Sequence, residues 1–106
     1  MIVRSAVLDG HVEEADRERF DRGMRDNVLP AIRTYPGIRD VRLRRLVVPE
    51  QGAPSAYMVF DLYFDSLADM DAALASETRQ TVRTKIAENM GPFKGRVYHL
   101  VFDEDL

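Results

Sequence analysis

The chain has 106 residues, 45% of them hydrophobic, and its 15 basic and 18 acidic side chains leave a net charge of −3 at pH 7. These values are typical of one soluble globular domain spanning residues 1–106, and they argue against a general nucleic-acid-binding protein. The absence of cysteine excludes disulfides, thiolate catalysis and cysteine-based metal sites. The N-terminal segment is too short, and too polar at Arg4, for a signal peptide or a membrane span, so we expect a cytoplasmic protein with no membrane partner.

The first half of the chain predicts a strand, a long helix and a second strand. Residues 2–8 are mostly apolar and predict the first strand, and the Asp-Gly-His run at residues 9–11 predicts a turn. Apolar residues at steps of three and four predict a charged amphipathic helix over about residues 12–35. The Pro36-Gly37 pair ends this helix, because proline cannot continue it and glycine accepts a left-handed cap. Residues 38–48 predict the second strand.

Pro30 lies inside the predicted first helix. An interior proline removes one backbone hydrogen bond and clashes with the carbonyl group four residues earlier, at a cost of about 3 kcal/mol. The helix therefore either kinks near Asp26 or breaks around Asn27. The apolar stripe runs straight through Pro30, which favours the kink.

The second half of the chain predicts two strands on either side of a pair of helices. A loop too long for a tight hairpin turn leads into the third strand, over residues 57–64. Asp65 or Ser66 caps a short helix. A further helix is predicted over residues 78–90, and the last strand over residues 96–102.

This order of elements predicts an α+β fold of the ferredoxin-like βαββαβ type, with a four-stranded antiparallel sheet. The first and third strands are expected at the centre, with the last strand beside the first and the second beside the third. Both helical layers are expected on one face of the sheet. The first and last strands are apolar on both faces, so the uncovered face would be a large apolar patch. A second copy packed sheet against sheet would cover it, and we expect a two-fold symmetric homodimer.

The third strand carries one carboxylate in an apolar and aromatic run. Side chains alternate along a strand, so its two faces are Met58, Phe60, Leu62 and Phe64 on one side and Tyr57, Val59, Asp61 and Tyr63 on the other. One face of this strand contacts the helices and the other contacts the second subunit. The alternation of even- and odd-numbered residues does not by itself show which set contacts the helices. Asp61 points into a pocket between sheet and helices in one arrangement and is an interface residue in the other.

Asp61 is the first candidate catalytic residue. A carboxylate whose pKa is raised by desolvation can act as a general base on an acidic C–H group or a phenol. Tyr57 and Tyr63 lie on the same strand face as Asp61, four residues before it and two residues after it, and are candidate ligand-binding residues. Arg42 is a further candidate, since Arg42 or Arg44 could reach Asp61 from the neighbouring second strand. The alternative is a structural salt bridge between Asp61 and an arginine of this subunit or of its partner.

His99 is the second candidate catalytic residue, because histidine titrates near neutral pH and is the usual acid–base group. It lies in the last strand, which is expected to pair with the first strand near Ser5, a further candidate ligand-binding residue. A purely structural role is the alternative for His99. His11, beside Gly10 in the predicted turn, is expected to be exposed to solvent.

The sequence contains no motif for a metal or a cofactor. Its two histidines share no ligand spacing with a nearby carboxylate, and no glycine-rich phosphate loop precedes a helix. We therefore expect neither a cofactor nor a metal site.

The chain resembles the EthD-like family, named for ethyl tert-butyl ether degradation, within the dimeric α+β barrel superfamily. The resemblance covers essentially the whole length and rests on Phe20, the Val28-Leu29-Pro30-Ala31 and Tyr35-Pro36-Gly37-Ile38 segments, the strand at 57–64 with Ser66-Leu67, and residues 90–102. The family often reads His-x-Pro-Leu in the first helix, whereas Val28 stands at the histidine position here. That departure puts histidine-dependent chemistry from this helix in doubt.

The resemblance implies a small-molecule role, often in the breakdown or cyclisation of organic compounds. Cofactor-free monooxygenases and muconolactone isomerases of the wider superfamily use the pocket between sheet and helices. The leading hypothesis is therefore a homodimer that holds a small apolar or aromatic organic molecule in that pocket, with proton transfer, isomerisation or cofactor-free oxidation as candidate reactions. The alternative is a non-catalytic dimeric module that binds a ligand or a partner protein.

Overall fold

The computed structural model describes all 106 residues, Met1–Leu106, and has the predicted order of elements. The elements are β1 (Ile2–Val12), α1 (Glu14–Gly23), a π-helical turn (Met24–Val28), α2 (Leu29–Ile32), β2 (Asp40–Arg45), β3 (Ala56–Phe64), α3 (Leu67–Leu74), α4 (Thr78–Asn89) and β4 (Phe93–Asp103). The strands form one antiparallel sheet in the order β2-β3-β1-β4. The predicted ferredoxin-like α+β fold is confirmed.

The predicted turn at residues 9–11 is wrong, because β1 continues through it to Val12. A register shift between Leu8 and Asp9 lets the strand change its pairing with β3, and β4 pairs with it along the whole length. Gly10 stands opposite Gly95, where a Cβ atom on Gly10 would lie 2.2 Å from the carbonyl oxygen of Lys94. Two facing glycines therefore let the backbones of β1 and β4 approach closely, and β4 begins at Phe93 rather than at residue 96.

We predict that Gly10→Ala lowers the free energy of unfolding by about 1–3 kcal/mol, because its methyl group has no space against the β4 backbone. Gly91→Ala is the matched control, since a Cβ atom there meets nothing within 4 Å, and its effect should stay within about 0.5 kcal/mol. Urea denaturation measures both. Equal stability of the two variants would contradict this account of the strand pairing.

Pro30 is accommodated by a π-helical turn rather than by a simple kink. The Leu29 amide donates to the carbonyl of Met24, five residues back, so the widened turn includes the Asp26 carbonyl with which the proline ring would clash. The helix then ends at Ile32, three residues before the predicted end. It begins at Glu14 rather than at residue 12, because Val12 is fully buried at the end of β1.

The other boundaries differ by a few residues. β2 covers Asp40–Arg45 instead of residues 38–48, and Val47 and Val48 are 83% and 72% exposed in the loop that follows. Ser66, one of the two predicted caps of α3, accepts the Asp69 amide. The last helix ends at Asn89, one residue earlier than predicted.

The helices cover one face of the sheet. Four residues of β3 belong to the main hydrophobic core, together with α1, α3 and α4 residues such as Phe20, Met70 and Val82; they are Met58, Phe60, Leu62 and Phe64. Alternation and strand register place the other set on the uncovered side, here called the open face: Val3, Ser5 and Val7, Val59, Asp61 and Tyr63, Asp40, Arg42 and Arg44, and Tyr98, Leu100 and Phe102. Val3 and Val7 are buried but lie outside the main core cluster, as expected for this side.

Candidate functional site

A cavity of about 80 Å³ lies between the sheet and the helices, and 12 of its 14 lining residues are hydrophobic. The π-helical turn contributes Met24 and Val28 to its wall, and β3 contributes Phe60 and Leu62. The remaining helical wall comes from Val82, Ile86 and Met90, which repeat at four-residue steps along α4. The cavity is therefore built from the same apolar stripes that fold the chain.

Arg4, Tyr35 and His99 bring polar groups to this apolar cavity. Arg4 and His99 come from neighbouring strands and share the helix-facing side of the sheet, because Ala6 pairs with His99 and Arg4 pairs with Val101. Tyr35 follows α2 and is buried. None of these three side chains forms a hydrogen bond or salt bridge within the chain, so each is free to meet a ligand.

Electrostatics at the cavity favour a neutral imidazole and a neutral phenol. Burial lowers the pKa of His99, and the nearby charges of Arg4 and Arg79 lower it further. Burial raises the pKa of Tyr35, although Arg79, Arg4 and Arg83 oppose that effect. His99 is thus a proton acceptor at neutral pH, and Tyr35 is a hydrogen-bond donor.

Asp61 does not reach this cavity. Its strand presents Phe60 and Leu62 to the helices, so Asp61 lies on the open face, and the arrangement in which it points into the pocket is wrong. The hydroxyl of Ser5 donates to Asp61 Oδ1 at 2.5 Å, and Arg44 donates to Oδ2 at 2.7 Å from Nη2 and 2.8 Å from Nε. The buried carboxylate is therefore fully engaged in a structural pair, as in the salt-bridge alternative.

Arg42 and Tyr63 lie near Asp61 on the open face, but they interact with each other. The Arg42 guanidinium sits 5.0 Å from the centre of the Tyr63 ring, and its Nε donates to Asp40 at 3.0 Å. Arg42 and Tyr63 thus lie near Asp61 as predicted, and Ser5, which was expected near His99, joins them by its bond to Asp61. They form a surface cluster on the sheet rather than the wall of a pocket.

Tyr57 is separated from that cluster by the irregular pairing at the end of β3. Its hydroxyl donates to Asp21 at 2.6 Å, and its ring packs edge-on against Phe20 of α1. Arg45 binds the second oxygen of the same carboxylate at 2.7 Å. Burial and the bond to Asp21 raise the pKa of Tyr57 to about 12, so this phenol stays protonated and links β3 to α1.

Arg4, Tyr35 and Arg79 are site residues that the sequence alone does not indicate. The helical spacing of Tyr35 is typical of a core residue, and Arg4 counts in the sequence only as a charge that argues against a signal peptide. A single basic residue in the middle of an apolar strand was the available signal for Arg4. Arg79 lies 75 positions further along the chain, and only the packing of α4 against the sheet brings it close.

No three His, Cys, Asp or Glu side chains lie close enough to hold a metal ion. No helix has the length and apolar character needed to cross a membrane.

We predict that Arg79→Gln raises the pKa of His99, because it removes one of the positive charges that disfavour the imidazolium form. In the native chain the His99 imidazole should titrate below the ordinary value of about 6.5. Proton NMR titration of the ring C–H resonances measures both midpoints, with His99→Gln assigning the signal. Arg33→Gln is the control, because it removes an equal charge from the C-terminal end of α2. A similar rise in the pKa of His99 in that variant would show that the effect of Arg79 is not local.

Three solved structures have the same fold as this chain. An EthD family protein from Bacillus halodurans has a TM-score of 0.77 at 21% identity, with 98% of this chain and 99% of that chain covered. A dimeric ferredoxin-like protein of unknown function from Jannaschia sp. has a TM-score of 0.64 at 16% identity, covering 96% and 97%. An antibiotic biosynthesis monooxygenase has a TM-score of 0.61 at 14% identity, covering 97% of each chain.

No protein-family model and no curated protein matches the sequence. The chain therefore has the ferredoxin-like fold of an EthD family protein and of dimeric relatives of that fold, as its resemblance to the EthD-like family predicts.

Proposed function

We propose that the chain is an EthD-like homodimer that binds a small, mainly apolar organic molecule between its sheet and helices and transfers a proton to or from it. The observation that carries this proposal is the apolar cavity into which Tyr35 and His99 project without partners in the chain. His99 is an exposed residue of β4, and no buried side-chain nitrogen or oxygen in the chain lacks a hydrogen-bond partner, so the polar atoms of both side chains are accessible from solvent. A phenol and an imidazole left free at one apolar cavity are the arrangement expected of a ligand site.

His99 is the proton acceptor in this proposal. Its lowered pKa leaves the imidazole neutral at pH 7, which is the form that abstracts a proton. Tyr35 donates a hydrogen bond to an oxygen of the ligand, where charge would develop after proton removal. Isomerisation and cofactor-free oxidation both begin with such a step, so the same two groups would serve either reaction.

The names of two solved structures of the same fold support a small-molecule role. One belongs to a family named for ether degradation, and another is described as an antibiotic biosynthesis monooxygenase. At 21% and 14% identity they share the fold with this chain, and fold alone does not transfer an activity. The proposal for this chain therefore depends on its own cavity residues.

Filling the cavity tests the binding step. Ala6 lines the cavity on β1, and Ala6→Met should displace the ligand because the longer side chain occupies its space. Native mass spectrometry of the purified protein detects any small molecule that co-purifies, and that molecule should be lost from the variant. Ala68→Met, at an exposed position of α3, is the control and should retain it.

A second substitution separates binding from turnover. His99→Gln should keep the ligand and abolish solvent-proton exchange at its acidic position, measured by deuterium incorporation in NMR. Exchange at the native rate in His99→Gln would refute the acid–base role and leave the non-catalytic ligand-binding module as the function.

We also propose that the open face is the homodimer interface. Leu100 and Phe102 are 44% and 49% exposed on it, and β1 adds Val3 and Val7. Solved structures of this fold are described as dimeric. A second copy packed on the open face would desolvate the Ser5–Asp61–Arg44 cluster, in which the exposed side of Arg44 is available for a contact across the interface.

Phe102→Asp should convert the dimer to a monomer at micromolar concentration, because it places a carboxylate in the apolar interface. Analytical ultracentrifugation measures the mass. Val48→Asp makes the same kind of change at a loop position that is 72% exposed, and this control should remain dimeric.

Asp61→Asn should weaken the dimer in the same assay, because Arg44 loses its ionic partner, while cavity binding is retained. If the native chain is a monomer, the open face is not a dimer interface. If the Asp61→Asn variant loses the ligand but remains dimeric, Asp61 belongs to the ligand-binding site.

A further inference from the structure

We infer that the ligand of this cavity is a small organic acid, whose anionic head is bound by Arg4, Arg79 and Arg83 and whose apolar body enters the cavity. This inference rests on the proposed function and names the class of ligand. Its basis is the unpaired guanidinium of Arg4 in the wall of an otherwise apolar cavity, with two further arginines that form no salt bridge, Arg79 and Arg83, on the helix α4 that forms the opposite wall.

The three arginines come from two elements that face each other across the cavity. Arg4 projects from β1 into the cavity and is half-buried. Arg79 and Arg83 lie four residues apart on one side of α4, whose Val82 and Ile86 line the same cavity. Their charges act on Arg4, whose pKa is lowered first by burial and then by Arg79.

These three arginines form no salt bridge, a property that they share with Arg17 and Arg33. Eight other arginines in the chain form salt bridges, from Arg19 with Asp16 to Arg96 with Asp9. The chain carries 18 acidic side chains and a net charge of −3, so carboxylates are abundant elsewhere on its surface. Their absence from this location leaves a local positive potential that an anion would neutralise.

A half-buried Arg4 beside the like charges of Arg79 and Arg83 is unfavourable without a counter-ion. A guanidinium group matches a carboxylate with two parallel N–H···O bonds, so several such groups around one point define an anion site. Tyr35 adds a neutral hydroxyl donor beside them, and the hydrophobic lining receives an apolar body rather than a second charge. An organic acid satisfies both halves of the site.

The bound anion would also change the imidazole of His99. Arg4 and Arg79 lower the pKa of His99, and a carboxylate paired with them would offset that effect. If the bound acid raises the pKa of His99, then by thermodynamic linkage the protein must bind the acid more tightly when His99 is protonated than when it is neutral. Ligand binding can therefore be followed at His99 without an assay of turnover.

The test compares matched acids and neutral amides on the native homodimer. Benzoate, phenylacetate and hexanoate are titrated against benzamide, phenylacetamide and hexanamide by isothermal calorimetry, with the His99 titration followed by NMR. We expect the preferred acid to bind at least about ten-fold tighter than its amide, as for loss of a charge-assisted hydrogen bond, and to raise the pKa of His99. Arg79→Gln and Arg83→Gln should each weaken the acid and leave the amide unchanged.

Arg33→Gln is the matched control, because Arg33 also lacks a salt-bridge partner but its charge does not act on Arg4, Tyr35 or His99. It should bind acids like the native chain. Equal affinities for the acids and their amides would contradict recognition of an anionic group, but not the binding of an apolar molecule in the cavity. Inorganic phosphate that competes as well as the acids do would overturn the role of the apolar body. Binding of no compound in either series would overturn this inference and the cavity site together.

Discussion

The packing of β3 against the helices is the constraint on which the rest of the structure depends. Met58, Phe60, Leu62 and Phe64 fill the core beneath α1, α3 and α4, and each is at most 4% exposed. Because side chains alternate along a strand, this packing sends Asp61 to the opposite face. Paired residues of neighbouring strands lie on the same face, so the antiparallel register also fixes which residues of β1 and β4 face the helices. Arg4 and His99 are among them.

The same constraint separates two polar groups of different chemical character. On the open face, Asp61 is held by Ser5 and Arg44, so its charge is balanced and its hydrogen bonds are made. Under the helices, the polar groups around the cavity have no partners in the chain. A balanced buried charge stabilises a fold or an interface, whereas an unbalanced set beside an apolar cavity is organised for a molecule that the chain itself does not supply.

Local backbone irregularities shape the cavity and its surroundings. Pro30 requires the widened π-helical turn, and that turn presents Met24 and Val28 to the cavity. Gly10 and Gly95 let β1 and β4 run closely together to Val12, beneath the start of α1. The residues that cause both irregularities, the proline and the two glycines, can be identified in the sequence. Their effect on the backbone depends on the element that packs against each of them.

The sequence by itself determined the order of elements and the strand order, because hydrophobic periodicity reports which residues must leave water. It also placed Arg42 and Tyr63 near Asp61 correctly, since strand pairing follows from topology, whereas Ser5 was expected near His99 and instead binds Asp61. Only the tertiary structure decided which face they occupy. A period of two defines two faces but does not say which one the helices cover, and on β3 both faces carry large apolar or aromatic side chains. The predicted turn at residues 9–11 is also absent from the structure, because tertiary pairing of β1 with β4 overrides the local preference of the Asp-Gly pair for a turn. The arginines of the cavity lie far apart in the chain, and their convergence exists only once α4 has docked on the sheet.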